Sequence, residues 1–199
     1  MSKTMKFFKT WKEVMFNPLN FYAKLPQKFR YREASIFYLK VNALILGIVA
    51  LLILLFVAIL SSTFGSLFGQ SQVFAQFGFM IVLLIIIIAL PILLLINWGF
   101  LFLGAGIIHL FVLMFGSKQG YQETFKALAY SQAPAIFSII PFIGYAAAVY
   151  SVILEIIGIK ERHKLDWGRS VAVILIPFFI CLALSIFLFF MIFSLASLY

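Results

Sequence analysis

Between Lys40 and Lys118 the chain contains no Asp, Glu, Lys or Arg. Within this stretch, residues 41–64 (VNALILGIVALLILLFVAILSSTF) suffice for one membrane crossing of ~20 residues. Residues 65–76 (GSLFGQSQVFAQ) form a polar but uncharged connection. Residues 78–115 make 38 residues without a charge, or ~57 Å of helix against a hydrocarbon layer of ~30 Å. They fit one long helix bent at Pro91, or two short spans broken near Asn97-Trp98-Gly99.

Charged residues are 11% of the 199, where a water-soluble domain uses roughly a quarter. The principal solvent is therefore lipid, and the fold class is an all-α membrane protein. The single cysteine, Cys181, excludes an intramolecular disulfide. With His109 and His163 it cannot supply the roughly four ligands of a structural zinc site, and no cofactor is expected. The first long apolar run starts near residue 41, too late for a cleavable signal, and neither end carries a lipidation motif. Anchoring by transmembrane helices is the expectation.

Charge distribution chooses between one crossing and two in 78–115. Residues 1–40 hold nine basic and two acidic residues. Lys118, Glu123 and Lys126 follow in 116–126, and GIKERHKLDWGRS (158–170) adds four basic and two acidic residues. The 65–76 connection, the IPFIG turn (140–144) and the C-terminal tail carry none. Positive segments gather on the cytoplasmic side, which requires 78–115 to cross once. Five spans result, at 41–64, 78–115, 124–139, 142–159 and 171–197, forming a five-transmembrane-helix bundle (41–199) behind a basic arm (1–40). The N-terminus lies in the cytoplasm and the C-terminus outside, as in a prokaryotic plasma membrane. The two middle spans are short, and a re-entrant hairpin over 124–159 satisfies the same charge rule.

The arm opens with a helical pattern. At 100° per residue, Phe7, Phe8, Trp11, Val14 and Met15 share a 120° arc that excludes Lys3, Lys6, Lys9, Lys12 and Glu13, and Asn17-Pro18 ends the helix. A basic helix with an aromatic face suits an interface of anionic lipid. It also suits packing on the protein's own loops, or a partner's groove. Nucleic acid is not an expected partner, because the net charge of +9 sits where the topology already requires it.

Two ionisable side chains fall inside spans, where each is a functional candidate. Glu155 shares a face with Gly144, Ala148 and Ser151, a small-residue stripe that would turn it toward the bundle. The plainer reading has it reaching the interface to pair with Lys160 or Arg162. His109 lies on one side with Gly99 and Gly106, and more simply packs there as a hydrogen-bonded histidine. Together with Asn97, these make Glu155, His109, Ser151 and Asn97 the candidate intramembrane polar site. No nucleophile elbow, HExxH pair or phosphate loop occurs, so catalysis is not expected.

TWKEVMFNPLNFYAKLP (10–26) followed by an apolar span resembles the opening of prokaryotic Yip1-domain proteins. GSKQGYQETFKALAYSQAPAIFSIIPFIG (116–144) is similar to that family's glycine-flanked loop leading to a tyrosine, a proline and a P-x-x-G turn. GIKERHKLDWGRS looks like its last cytoplasmic loop. The resemblance covers nearly the whole chain and implies five spans with a cytoplasmic N-terminus. Eukaryotic relatives are linked to small GTPases, vesicle formation and membrane shaping. This chain has only about 40 residues before its first span and lacks the acidic-Leu-Tyr-Gly-Pro motif those proteins carry there.

KERHKLDWGR accordingly reads as a topology anchor, with Lys160, Arg162, Lys164 and Arg169 facing anionic lipid, Trp167 at the interface and Asp166 capping the last helix. The expected function is non-enzymatic: organising bilayer or partner proteins through residues 3–16 and the 118–126 and 160–169 loops. A membrane or cytoplasmic protein, or a second copy of the chain, is the partner left open. The alternative is a small transporter or lipid-translocating protein using Glu155 and His109.

Overall fold

The computed structural model describes residues 7–26, 31–68 and 72–196. Its elements are all helical: α1 (Phe7–Phe16), α2 (Pro18–Lys24), α3 (Tyr31–Phe68), α4 (Gln72–Met114), α5 (Tyr121–Ser131), a 3-10 segment (Ala133–Ile139), α6 (Ile143–His163) and α7 (Trp167–Ala196). Pro18 opens α2, where its fixed φ suits a first turn and its missing N–H costs nothing. Lys164 closes α6 in the left-handed conformation, φ 54°. Asp166 caps α7 as expected, accepting the Arg169 N–H at 3.2 Å.

The long charge-free stretch forms one helix. α4 runs unbroken through Pro91 and through Asn97-Trp98-Gly99, and Asn97 returns its side-chain N–H to the Leu93 carbonyl at 2.8 Å. Among the described residues, four helices are long and apolar enough to cross a bilayer, namely Tyr31–Thr63, Gln76–Met114, Ile143–His163 and Trp167–Leu195. At 124–139, where a short fifth span is expected, no single long helix forms. α5 stops after 11 residues, ~16 Å at helical rise. Pro134, with no N–H and a fixed φ, sits in the first turn of the 3-10 segment that replaces the helix. Phe142, with φ 66°, then turns the chain into α6, which runs back antiparallel along α5.

The packed core lies toward one end. Val14, Tyr22, Val41, Ala105, Val112, Phe125, Leu154, Ile159 and Val173 are fully buried there, drawing on every helix. Beyond it the outer parts of α3, α4 and α7 expose Leu, Ile and Phe on all sides, as helices facing lipid do. The closest approach is at Gly158, where an added Cβ would lie 2.9 Å from the Ala127 Cβ and 3.1 Å from the Tyr22 ring. Glycine there lets α2, α5 and α6 meet.

Candidate functional site

The three charged segments meet at the core end in a buried junction. Arg162, in the last turn of α6, donates from Nε to Glu123 Oε2 at 2.6 Å and pairs with the same carboxylate through Nη2. Its Nη1 donates to the carbonyls of Tyr22 at 3.0 Å and Leu25 at 2.6 Å. Lys126 donates to Glu123 Oε1 at 2.8 Å and reaches the Pro26 carbonyl at 3.5 Å. Local structure favours each charge: Glu123 is in the first turn of α5, and the guanidinium faces the carbonyl end of α2. Glu123, Lys126 and Arg162 are all buried.

A second polar chain lies beside it. His109 Nδ1 is 2.8 Å from Thr124 Oγ1, which is 2.9 Å from His163 Nε2. His163 Nδ1 is 3.0 Å from Ser117 Oγ, which also accepts the Gln119 N–H at 3.2 Å. The Thr124 hydroxyl can donate to either ring while accepting from the other. Tyr22, whose carbonyl accepts from Arg162, is fully buried, its hydroxyl donating to the Ala127 carbonyl at 3.2 Å. Burial pushes the Tyr22 phenol well above its usual range, and the Glu155 carboxylate adds to this. Burial also raises the phenol of Tyr121.

Several sequence expectations change. Arg162 does not face lipid; it is buried because one planar guanidinium satisfies both a carboxylate and two helix-end carbonyls. His163 beside it is likewise buried. Glu155 pairs with neither Lys160 nor Arg162: its Oε1 lies 3.3 Å from the Ser131 hydroxyl, which is also 2.8 Å from the Leu128 carbonyl, while Lys160 pairs with Glu161. Along the proposed stripe Ser151 is buried, but Ala147 rather than Ala148 faces inward. The four candidate polar residues do not converge, since His109 turns to Thr124, Glu155 to Ser131 and Asn97 to its own helix.

The amphipathic arc of α1 is divided. Val14 is buried, Phe7 packs on Phe37, and Trp11 donates to the Ala133 carbonyl at 2.8 Å. Phe8 and Phe16 remain 77% and 73% exposed, with Lys9 and Lys12 beside them. Lys3 and Lys6 lie outside the described residues. Lys164, Trp167 and Arg169 are exposed, with Lys160 over the Trp167 ring at 4.8 Å and Arg169 paired to Asp166 at 3.1 Å. Thr124 and Ser117 were missed by sequence reasoning, because nothing local distinguishes a hydroxyl that bridges distant histidines.

The polar groups of this arrangement bond to one another, and among the described residues no cluster of three His, Cys, Asp or Glu could hold a metal. No curated protein and no solved structure matches the chain. The family described as the Yip1 domain matches residues 12–189, nearly the entire length. The chain is thus a multi-pass integral membrane protein belonging to the Yip1-domain family.

Proposed function

We propose that this protein is a non-catalytic organiser of membrane or partner proteins, working through the rim of its charged end. The observation that carries the reading is the junction of Arg162, Glu123 and Lys126, which clamps the N-terminal arm to α5 and α6. The clamp holds Phe8, Lys9, Lys12 and Phe16 on an outer face, within one structure with Lys160, Lys164, Trp167 and Arg169. Cations interspersed with aromatics suit anionic head groups, or an acidic partner at the same surface.

In the same reading the chain makes five passes. α5 and the 3-10 segment together contribute about 30 Å at their respective rises, and their charged end is shared with α4, α6 and α7. That end is cytoplasmic and the C-terminus is outside, with the prokaryotic plasma membrane as the setting. A transporter built on Glu155 and His109 finds less support, since these residues bond to different partners.

A photo-crosslinking residue at position 8 or 16, in native membranes, tests the organiser reading. Adducts to one protein, or to anionic lipid, that disappear when Lys9 and Lys12 become Glu are expected. Adducts unaffected by that reversal would refute it.

A further inference from the structure

Above the junction, α4, α6 and α7 part to leave a cleft of about 520 Å³, a size in the range of small-molecule sites. Its walls are Gly104 and Ile107 of α4, Val149 and Val152 of α6, and Ile174 and Phe178 of α7. Glu155 is the one charged side chain among its lining residues. Ser131 serves one carboxylate oxygen, and among the described residues no cation pairs with Glu155. Lys160 is engaged by Glu161, and Arg162 by Glu123.

The cleft has a direction. α7 leaves the charged end while α4 and α6 return to it, so Glu155, Ile108 and Ile174 mark the near end, and Val149, Gly104 and Cys181 the far end. From Glu155 to Val149 the apolar wall extends ~9 Å along α6. Lys160 and the exposed Trp167, the belt that marks a membrane interface, lie about one and a half turns below Glu155. A carboxylate just inside that belt, with an oily slot running from it toward the bilayer centre, has the polarity of a lipid in that leaflet.

We infer that this cleft binds one membrane lipid whose head carries a primary ammonium group, the ammonium pairing with Glu155 and an acyl chain lying between α4, α6 and α7. A carboxylate in apolar surroundings calls for a cation with N–H donors. A head without a cation would not stabilise the ionised carboxylate.

Cys181, the only cysteine, lines the far end and reports occupancy. The full chain is reconstituted in phosphatidylcholine nanodiscs supplemented with phosphatidylethanolamine or with its N-acetylated derivative, and alkylation by a membrane-permeant maleimide is timed. Phosphatidylethanolamine should slow alkylation, with the N-acetylated lipid needed at roughly tenfold higher content for equal protection. Glu155→Gln should erase that difference. Gly104→Leu, whose added side chain meets nothing within 4 Å at Cβ, should fill the slot and remove lipid-dependent protection. Equal rates in the two lipids for the wild type would overturn the inference, as would undiminished discrimination in Glu155→Gln. Should that variant fail to insert, the wild-type comparison still decides.

Discussion

Arg162 ties three segments together, because its fork joins the carboxylate of Glu123 to two carbonyls at the end of α2. Removing one partner strands the others in a buried site, a loss of about 3–5 kcal/mol. Glu123→Ala should therefore lower the midpoint of thermal unfolding in detergent severely. Arg162→Lys should also destabilise, since an ammonium cannot reproduce the planar fork. An unchanged midpoint in either variant would show that the junction is not what holds the arm. At Gly158 a Val side chain meets Tyr22 and Ala127 within van der Waals contact, so Gly158→Val should destabilise by about 1–3 kcal/mol. Tyr22 adds a pH dependence. Its folded phenol is held above the ordinary value of 10.0 by burial, so above that pH the unfolded chain ionises while the folded one keeps its proton. Stability should be full below about pH 10 and fall as pH rises beyond it, and Tyr22→Phe should shallow that fall in unfolding measured from pH 9 to 11.

At the scale of elements, α1 forms a helix where the sequence pattern expects one, but its packing was not legible. Of the expected arc Phe7, Phe8, Trp11, Val14, Met15, Val14 is buried and Phe8 exposed, Trp11 donates to the 3-10 segment, and Tyr150 of α6 donates to the Met15 carbonyl. Periodicity states that a face is apolar, and says nothing about whether lipid or protein covers it. Substituting the two environments separates them. Val14→Asp should destabilise the fold strongly by burying an unpaired charge, whereas Phe8→Ser should leave the unfolding midpoint within about 0.5 kcal/mol of the wild type. At α7 the cap was readable from Asp166 followed by Trp167-Gly168. Asp166→Ala should cost about 0.5–2 kcal/mol, detectable as faster proteolysis or exchange near residue 167.

For the whole molecule, the consequential element is the pair formed by α5 and the 3-10 segment. If it serves as a pass, position 142 and position 164 lie on opposite sides of the membrane. In a Cys181→Ala background, cysteine at 142 should react with an impermeant maleimide from outside intact cells, and cysteine at 164 only after lysis. No labelling of position 142 in intact cells would mark 124–159 as a re-entrant hairpin.

The membrane class, the single passage of 78–115 and the clustering of positive segments follow from sequence alone. They rest on the absence of charge over long runs and on where charge resumes, both linear properties of a chain in lipid. Tertiary structure alone decided that Arg162 and His163 are buried, that Glu155 turns to Ser131 and an apolar cleft, and that Trp11 is held by α1's own protein. Those outcomes depend on partners more than 20 residues away along the chain, brought into reach by the α5–α6 hairpin. Hydrogen bonds and ion pairs need ångström proximity that no local spacing encodes.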